Sequence, residues 1–489
     1  MSIEDTLTKI LKKVNIRHGK KLLKNNGKAP EIPDEEPVFM KNKTDEFFNV
    51  GFAKRITMPD DINAKQYWVA GYKSGNLAKG VLDPMTVSAM WIDCKDNGGI
   101  VLVSADCIGL TGFEVAKIRD SLSDFKKESG CKLISISCTH THGGIDTVGY
   151  WGKPIVGPLP GDGKDPEFMA LLMGAIKDVC IEAYKNKKEG KLYIGSTHVP
   201  GAQFDKRPPL VLNDTLTRIR FVPNDGGVET WFLNFAAHPN TMGGDNDKIT
   251  ADYPYYMRET INKTKETNVL FSAGAICAVD PGNYCEDKLQ RTIIEGETLG
   301  NAALKIDNDV QMKPEITVLN QKYYAPIDNC VLGLMSIVKT VNSLKFPYDK
   351  GELGLALRTE MTYIKIGNRQ ILVLPGEAMQ EFVYGGYAPK EESATGLGPE
   401  INPTPLSEIA GDKDLIVFGV SNDMTGYMVP PNDFVLHKTQ GYLNNGRDVF
   451  DRSHYHETNS LGYLTTQTIA DVFAGIIDRV RKAENAQNN

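Results

Sequence analysis

The most constraining feature of this 489-residue chain is an alternation of strand-like and helix-like blocks that begins near residue 48. In the first half, the apolar segment Ile100–Cys107 precedes the amphipathic stretch Phe113–Ser129, and a second apolar segment follows at Lys132–Thr139. Later, hairpin patterns take over, as in Tyr363–Leu374, where Gly367-Asn368 marks the turn. This order predicts an α/β fold, a mixed-sheet sandwich with flanking helices, and not a purely doubly wound sheet.

The remaining elements are predicted from the same two periodicities, 3.6 residues for helices and two for strands. Further helices are expected at 166–185, 254–264, 290–306 and 464–484. Further strands are expected at 192–199, 215–223, 229–237, 268–279 and 415–420.

Composition and charge narrow the functional classes. The net charge is −7, and such mild acidity argues against a nucleic-acid-binding protein, which usually carries a basic face. No stretch approaches the roughly 18 apolar residues of a membrane span, and the charged start does not resemble a secretory signal. The 8 cysteines are scattered singly without a CxxC pair, which argues against zinc ribbons and redox motifs. A reduced, cytoplasmic location is therefore predicted.

Residues 1–46 are predicted to form an N-terminal helix and a linker arm. Apolar residues recur there at helical spacing between lysines, namely Ile3, Leu7, Ile10, Leu11 and Val14. Such a basic amphipathic helix binds a membrane surface or a partner, or it packs on its own domain, which is the more common case. Residues 25–45 are polar and contain prolines, which predicts a linker or surface arm.

Histidine is rare, with 8 in the chain, so its placement is informative. His140 and His142 lie in CTHTHGG, directly after the strand KLISIS, and His238 closes the strand-like WFLNFAAHP. Residues i and i+2 of a strand share a face, so His140 and His142 should emerge side by side. Neighbouring imidazoles suit a divalent metal, or a metal ligand beside a general acid/base, whereas structural histidines are the alternative. Two strand-end sites fit a metal assembled at one sheet edge.

Three other stretches carry polar groups at similar places. Glu377 follows a strand and a Pro-Gly turn in LPGE, where a capping or surface glutamate is the alternative. The stretch GVSNDMTGY, residues 419–427, runs from a strand into a polar turn, and SHYHETNSLG, residues 453–462, precedes the last helix. Composition alone does not separate either from an ordinary loop. The Gly- and Pro-rich segments 152–166 and 386–412 are candidate lids.

Taken in order, THTHGG, HP, LPGE, SNDMTGY and YHETNSLG resemble the neutral/alkaline (non-lysosomal) ceramidase family. VGFAKRIT at residues 50–57 resembles the opening strand of that family's catalytic domain. About 150 residues per domain would allow three domains. The resemblance instead implies one catalytic domain over 47–489, because ligands spread from residue 140 to residue 427 must converge.

The resemblance implies a zinc amidase and a set of site residues. The implied zinc ligands are His140, His238, Glu377 and Tyr427. The implied catalytic and substrate-binding residues are His142, which contacts substrate and moves a proton, Arg207, which binds substrate, and Tyr455. The expected reaction is cleavage of an N-acyl amide by zinc-activated water. The expected partner is a small-molecule or lipid-like amide, and both a monomer and an oligomer remain open.

One short stretch departs from the family pattern at a catalytic residue. Asp280, in CAVDPGN, stands where the family has the catalytic serine of GDVSPN. Arg207 lies in KRPP, where the family has an Asn-Arg-Ser-Pro-like stretch. A carboxylate at position 280 can act as a catalytic base or position the water, but it cannot replace a serine hydroxyl. Three hypotheses follow: a zinc amidase with an unknown substrate, a true ceramidase acting on N-acylsphingosine, and a non-catalytic zinc- or ligand-binding relative.

Overall fold

The computed structural model describes residues 3–41, 46–95, 98–156, 159–338, 345–394, 396, 402–436, 441–443 and 445–488. Within these ranges lie ten α-helices: α1 (Ile3–Asn26), α2 (Gly112–Ser121), α3 (Ser123–Ser129), α4 (Pro166–Lys185), α5 (Tyr253–Thr264), α6 (Lys288–Leu304), α7 (Cys330–Ile337), α8 (Gln380–Tyr384), α9 (Leu406–Ala410) and α10 (Thr465–Asn488). None of the described helices is long and apolar enough to cross a lipid bilayer.

Two mixed sheets form the centre of the molecule. The larger contains, in spatial order, β12 (Thr267–Ala273), β11 (Glu229–Phe235), β10 (Thr215–Pro223), β8 (Lys188–His198), β2 (Phe48–Ile56), β3 (Thr86–Asp93), β4 (Gly99–Ala105) and β5 (Leu133–Cys138), with β14 (Val310–Gln311) beside β8. The smaller contains β1 (Val38–Lys41), β15 (Glu315–Pro326), β17 (Leu355–Ile366), β18 (Arg369–Val373) and β20 (Ile416–Phe418), with β16 (Lys345–Pro347) beside β17. Four short ladders complete the set: β6 (Gly152–Val156) with β7 (Leu159–Gly161), β9 (Gln203–Asp205) with β13 (Val279–Pro281), β19 (Glu377–Ala378) with β21 (Tyr427–Met428), and β22 (Gly446–Arg447) with β23 (Ser453–His454).

The two sheets pack face to face through an apolar layer. Ile92 and Phe232 of the larger sheet meet Ile364 and Phe418 of the smaller one, and the stacked rings of Phe232 and Phe418 lie 4.8 Å apart. Helices α4, α5 and α6 cover the outer face of the larger sheet, while α8, α9 and α10 cover that of the smaller. Strands β3 and β4 are buried at every residue, as expected for strands covered on both faces. This layering confirms the predicted mixed-sheet sandwich.

The carboxyl ends of strands from both sheets meet at one place. The larger sheet curls so that β4, the strand next to one end, contacts β12 at the other end, where the Ser104 hydroxyl donates to the Phe271 carbonyl at 2.6 Å. The smaller sheet joins them there, since the Gly419 amide after β20 donates to the Ala273 carbonyl at 2.9 Å. Further amide-to-carbonyl links are Cys138 to Val420 at 3.1 Å, Leu374 to Phe418 at 2.9 Å and Gly274 to Phe235 at 2.9 Å. The residues that follow β5, β11, β18 and β20 are therefore neighbours.

Some element bounds differ from those expected from sequence. The predicted helix 113–129 is broken at Leu122 into α2 and α3. The predicted strand 268–279 ends at Ala273, because the chain turns there toward the strand ends and Ala278 adopts a left-handed φ of 67°. The short β13 then pairs with β9 and not with the sheet.

Helix α1 packs on the body of the protein. The buried Asn15 amide donates to the Cys330 carbonyl at 2.9 Å, and the Lys12 ammonium pairs with Glu352 at 2.7 Å. These contacts agree with the interpretation of this helix as one that docks on its own domain.

The predicted linker and lid segments contain some regular structure. Within the predicted arm 25–45, β1 pairs with β15 as an edge strand of the smaller sheet. The segment 152–166 contains the β6–β7 hairpin, and 386–412 contains α9, with residues 395 and 397–401 outside the described residues. A division into a 1–46 arm and a 47–489 domain, and the lid role of both loops, remain predictions.

Candidate functional site

Three histidines meet where the strand ends converge. His140 follows β5, His142 lies two residues further, and His238 follows β11. Ring nitrogens of the three lie within 4.8 Å of one another, and the Nε2 atoms of His140 and His142 are 3.1 Å apart. In the described part of the chain, this is the group of His, Cys, Asp and Glu side chains that is compact enough to hold a metal ion.

Backbone carbonyls orient two of these imidazoles. The Nδ1 atom of His140 lies 2.6 Å from the Ile108 carbonyl, and Nδ1 of His238 lies 3.0 Å from the Val279 carbonyl. A carbonyl can only accept, so each Nδ1 carries the proton and each Nε2 of a neutral ring presents its lone pair. This is the tautomer that a histidine needs in order to bind a metal through Nε2.

Glu377 lies against the same two nitrogens. Its Oε2 is 2.8 Å from Nε2 of His238, and its Oε1 is 3.4 Å from Nε2 of His140. Burial alone would raise the pKa of Glu377, but the charges and hydrogen bonds of His140 and His238 outweigh it and hold the pKa below its usual range. The site therefore contains an ionised carboxylate that is 3% exposed.

Tyr427 is the neighbour of Glu377 on the adjacent strand. The two residues are directly paired in the parallel ladder of β19 and β21, which follow β18 and β20 respectively. Burial raises the pKa of Tyr427, and the negative charge of Glu377 raises it further. The roles of these two residues and of His140 and His238 as metal ligands remain predictions, although their positions are adjacent.

His142 is half-buried beside the other two histidines. Burial lowers the pKa of His142, and His140 and His238 lower it further, so the ring is neutral. Its Nδ1 is buried and has no hydrogen-bond partner among the described residues. The Tyr72 ring packs edge-on against it at 5.1 Å. The His142 side chain also lies close to the backbone at Gly71, where glycine is needed because a Cβ would lie 2.6 Å from that side chain.

A mostly apolar pocket of about 200 Å³ adjoins this cluster. His140, His142, Glu377 and Tyr427 contribute polar groups to its wall. The apolar wall includes Ile108, Trp151, Ile327, Leu357, Met424 and Leu461. A concave apolar surface with a few convergent polar groups is typical of a small-molecule site.

The predicted residues Asp280 and Tyr455 lie together, joined by Lys206. The Lys206 ammonium is 2.9 Å from Oδ1 of Asp280 and donates to the Tyr455 hydroxyl at 3.2 Å. Asn240, two residues after His238, donates to the same Asp280 oxygen at 2.9 Å. The Tyr455 and Tyr427 rings lie 6.4 Å apart, edge to face. Sequence reasoning did not select Lys206, although its departure from the family pattern was a signal.

Arg207 lies in a buried charge network. It is 7% exposed and forms ion pairs with Asp433 and, at 3.0 Å, with Glu457. It also donates to Nδ1 of His456 at 3.0 Å and lies 2.6 Å from Nδ1 of His454, which itself faces Glu457 at 2.7 Å. The guanidinium is thus engaged by protein groups, and its role in substrate binding remains a prediction.

Known structures share this architecture, although no protein-family model matches the chain. The neutral ceramidase from Pseudomonas aeruginosa superposes with a TM-score of 0.66 at 13% identity, over 89% of this chain and 75% of that one. A ceramidase complexed with C2 gives a TM-score of 0.66 at 14% identity with the same coverage. The chain therefore has a neutral ceramidase-like fold, as its motif order predicted.

Proposed function

We propose that this protein is a zinc-dependent hydrolase that cleaves an N-acyl amide. The observation that carries the proposal is the arrangement of His140, His238 and Glu377. With both Nδ1 protons donated to carbonyls, two lone pairs and a carboxylate face one another at 2.8 and 3.4 Å. Acceptors held this close repel each other unless a proton or a metal ion lies between them, so the residues present fit a metal ion.

The donor set favours zinc over harder cations. His140, His238, Glu377 and Tyr427 would supply two imidazole nitrogens, a carboxylate and a phenol oxygen, and zinc accepts such mixed N/O ligands. When bound, zinc polarises a carbonyl and lowers the pKa of water toward neutrality.

The side chains around this set have suitable chemistry for amide cleavage. His142 is a neutral imidazole whose Nε2 lies 3.1 Å from that of His140, so it can take a proton from the attacking water and return it to the leaving amine. The Tyr455 hydroxyl can donate to the oxygen on which charge develops. The adjoining apolar pocket suits a hydrocarbon part of the substrate.

A lipid-like amide is the substrate class that we propose first. The two structures reported above are ceramidases by name, and the apolar pocket supports an acyl or lipid tail. N-acylsphingosine is therefore the first substrate to test, with simpler N-acyl amides beside it. The cytoplasmic location predicted from the sequence remains part of this proposal.

Metal content and turnover test the proposed function. We expect about one zinc per chain by elemental analysis, and release of amine from a fluorescent short-chain ceramide or from another member of an N-acyl amide panel. Chelation should abolish turnover and added zinc should restore it. A metal-free protein would contradict the proposal. A zinc-loaded protein that hydrolyses no amide or ester would support a binding protein instead.

Narrowing the apolar pocket should change chain-length selectivity. Met424 lines this pocket, so we expect Met424→Trp to raise KM for an octanoyl amide about tenfold or more. KM for the corresponding acetyl amide should stay within about twofold of the wild-type value, because the acetyl group is too small to reach the added ring. Met424→Leu, which conserves volume, is the matched control. Equal increases for both chain lengths would place the acyl chain elsewhere.

A further inference from the structure

Two departures from the ceramidase pattern form a single contact in this protein. Asp280 stands in place of a serine and Lys206 in place of an asparagine, and their charged atoms lie 2.9 Å apart. The antiparallel ladder of β9 and β13 fixes both, since Asp280 pairs with Phe204 and the Lys206 amide donates to the Ala278 carbonyl at 3.0 Å. Residues directly across an antiparallel ladder, and residues two apart on one strand, share a face.

This contact makes Asp280 an anchor. Its Oδ1 receives the Lys206 ammonium and the Asn240 amide, each at 2.9 Å. The side chain that Asp280 holds in place is Lys206.

Lys206 in turn acts on Tyr455. Its ammonium donates to the Tyr455 phenol oxygen at 3.2 Å. Since the oxygen accepts this bond, the hydroxyl hydrogen is free to donate in another direction, and the charged donor strengthens that second bond. The His456 ring fixes the orientation of Tyr455 by lying against it at 3.9 Å and 31°. Tyr427, a proposed metal ligand, faces the Tyr455 ring edge-on.

We propose that Lys206 is a positioning residue for amide hydrolysis: anchored by Asp280, it fixes and polarises the Tyr455 hydroxyl that donates to the substrate carbonyl oxygen as negative charge develops there. This inference rests on the proposed function. In this inference Asp280, which replaces the family's serine, acts by holding Lys206 in place. No covalent bond is made or broken at either residue.

A double-mutant cycle separates this role from that of a catalytic base. The variants are Lys206→Met, Asp280→Asn and both together, with Tyr455→Phe and Lys206→Arg beside them. Each is assayed at matched zinc content with a fluorescent short-chain ceramide and with N-octanoyl-7-amino-4-methylcoumarin. We expect Lys206→Met to lower kcat about tenfold or more and Tyr455→Phe about 100-fold. KM should stay within about twofold, as for an interaction made mainly in the transition state.

The cycle also makes a prediction about coupling. Asp280→Asn should lower kcat in the wild-type background and have little further effect when Lys206 is already methionine. Lys206→Arg, which keeps the charge, should recover part of the rate. Lys188→Met is the matched control, because that ammonium pairs with Asp225 at 2.7 Å on the exposed surface.

Two results would overturn the inference while leaving the proposed function intact. The first is unchanged kcat in Lys206→Met alongside normal wild-type turnover. The second is an equal loss from Asp280→Asn in both backgrounds, which would make Asp280 itself the base. Absence of turnover by the zinc-loaded wild type on both substrates and on the wider amide panel would instead overturn the proposed function, and the inference with it.

Discussion

Replacing His140 by alanine is expected to leave the purified protein without bound zinc and without amide hydrolysis. Loss of even a group that only orients a metal ligand weakens binding about 10–100-fold, and we expect loss of a direct ligand to cost more. Elemental analysis after dialysis against a weak chelator, together with the amide assay, measures both effects.

The backbone at His140 requires a second variant. Its φ of 67° lies in the left-handed region, which alanine tolerates less well than asparagine. His140→Asn should therefore lose metal with less backbone strain. His198→Ala is the control, because the His198 imidazole is exposed at the end of β8 and pairs with Asp214. Retention of stoichiometric zinc in both His140 variants would exclude this histidine as a ligand.

The second large effect is expected at Arg207, where Arg207→Met should lower the free energy of unfolding by about 3–5 kcal/mol. The substitution removes the cation between Asp433 and Glu457, which are both buried. Uncompensated charges in a buried site are costly, whereas an exposed pair contributes about 1 kcal/mol or less. Arg447→Met is the control, since Arg447 and Asp451 form a 3.0 Å pair that is mostly exposed. Urea unfolding followed by circular dichroism measures both.

The same network predicts a direction for acid sensitivity. Burial alone would raise the pKa of Glu457, but Arg207 and His454 outweigh it and lower the pKa below its ordinary value of 4.5. A carboxylate whose pKa is lower when folded stabilises the protein fully above the unfolded value, and the contribution is lost as the pH falls. Unfolding of the wild type should therefore become easier below about pH 4.5. In Arg207→Met this acid sensitivity should be weaker, because loss of the guanidinium leaves burial to raise the pKa of Glu457.

These measurements also decide between two roles for Arg207. If the variant keeps wild-type stability while KM rises, Arg207 binds substrate, as the family resemblance implied. If stability falls and the remaining folded enzyme keeps its KM, the guanidinium is structural. The conservative Arg207→Lys variant keeps the charge but cannot make the same planar contacts. Its free energy of unfolding should therefore lie between those of the wild type and Arg207→Met.

Local signals in the sequence were sufficient for much of the fold. The hairpin at 363–374 was correct because Gly367-Asn368 specifies its turn, with Ile366 opposite Arg369 and φ of 58° at Gly367. The break at Leu122 and the early end of β12 at Ala273 were missed. Both depend on how the chain meets other elements, which periodicity in one segment does not encode.

The candidate site followed the same rule. His140, His142 and His238 were selected because each follows a strand and because His140 and His142 are two residues apart. Their meeting also depends on the curl of the larger sheet, which periodicity does not encode. Lys206 was not selected, although its position differs from the family pattern, because its role depends on contacts with Asp280 and Tyr455 far along the chain. That buried protein groups engage the Arg207 guanidinium could not be predicted for the same reason, because those groups lie more than 200 positions away in the sequence.

The convergence of strand ends from both sheets has a kinetic consequence. The proposed ligands come from segments near residues 140, 238, 377 and 427, and their contacts have high sequence separation. An early folding intermediate with one sheet formed would hold only part of this set and bind metal weakly. Acquisition of tightly held zinc should then coincide with the docking of the two sheets. A fluorescent zinc indicator in a stopped-flow refolding experiment would time that final step directly.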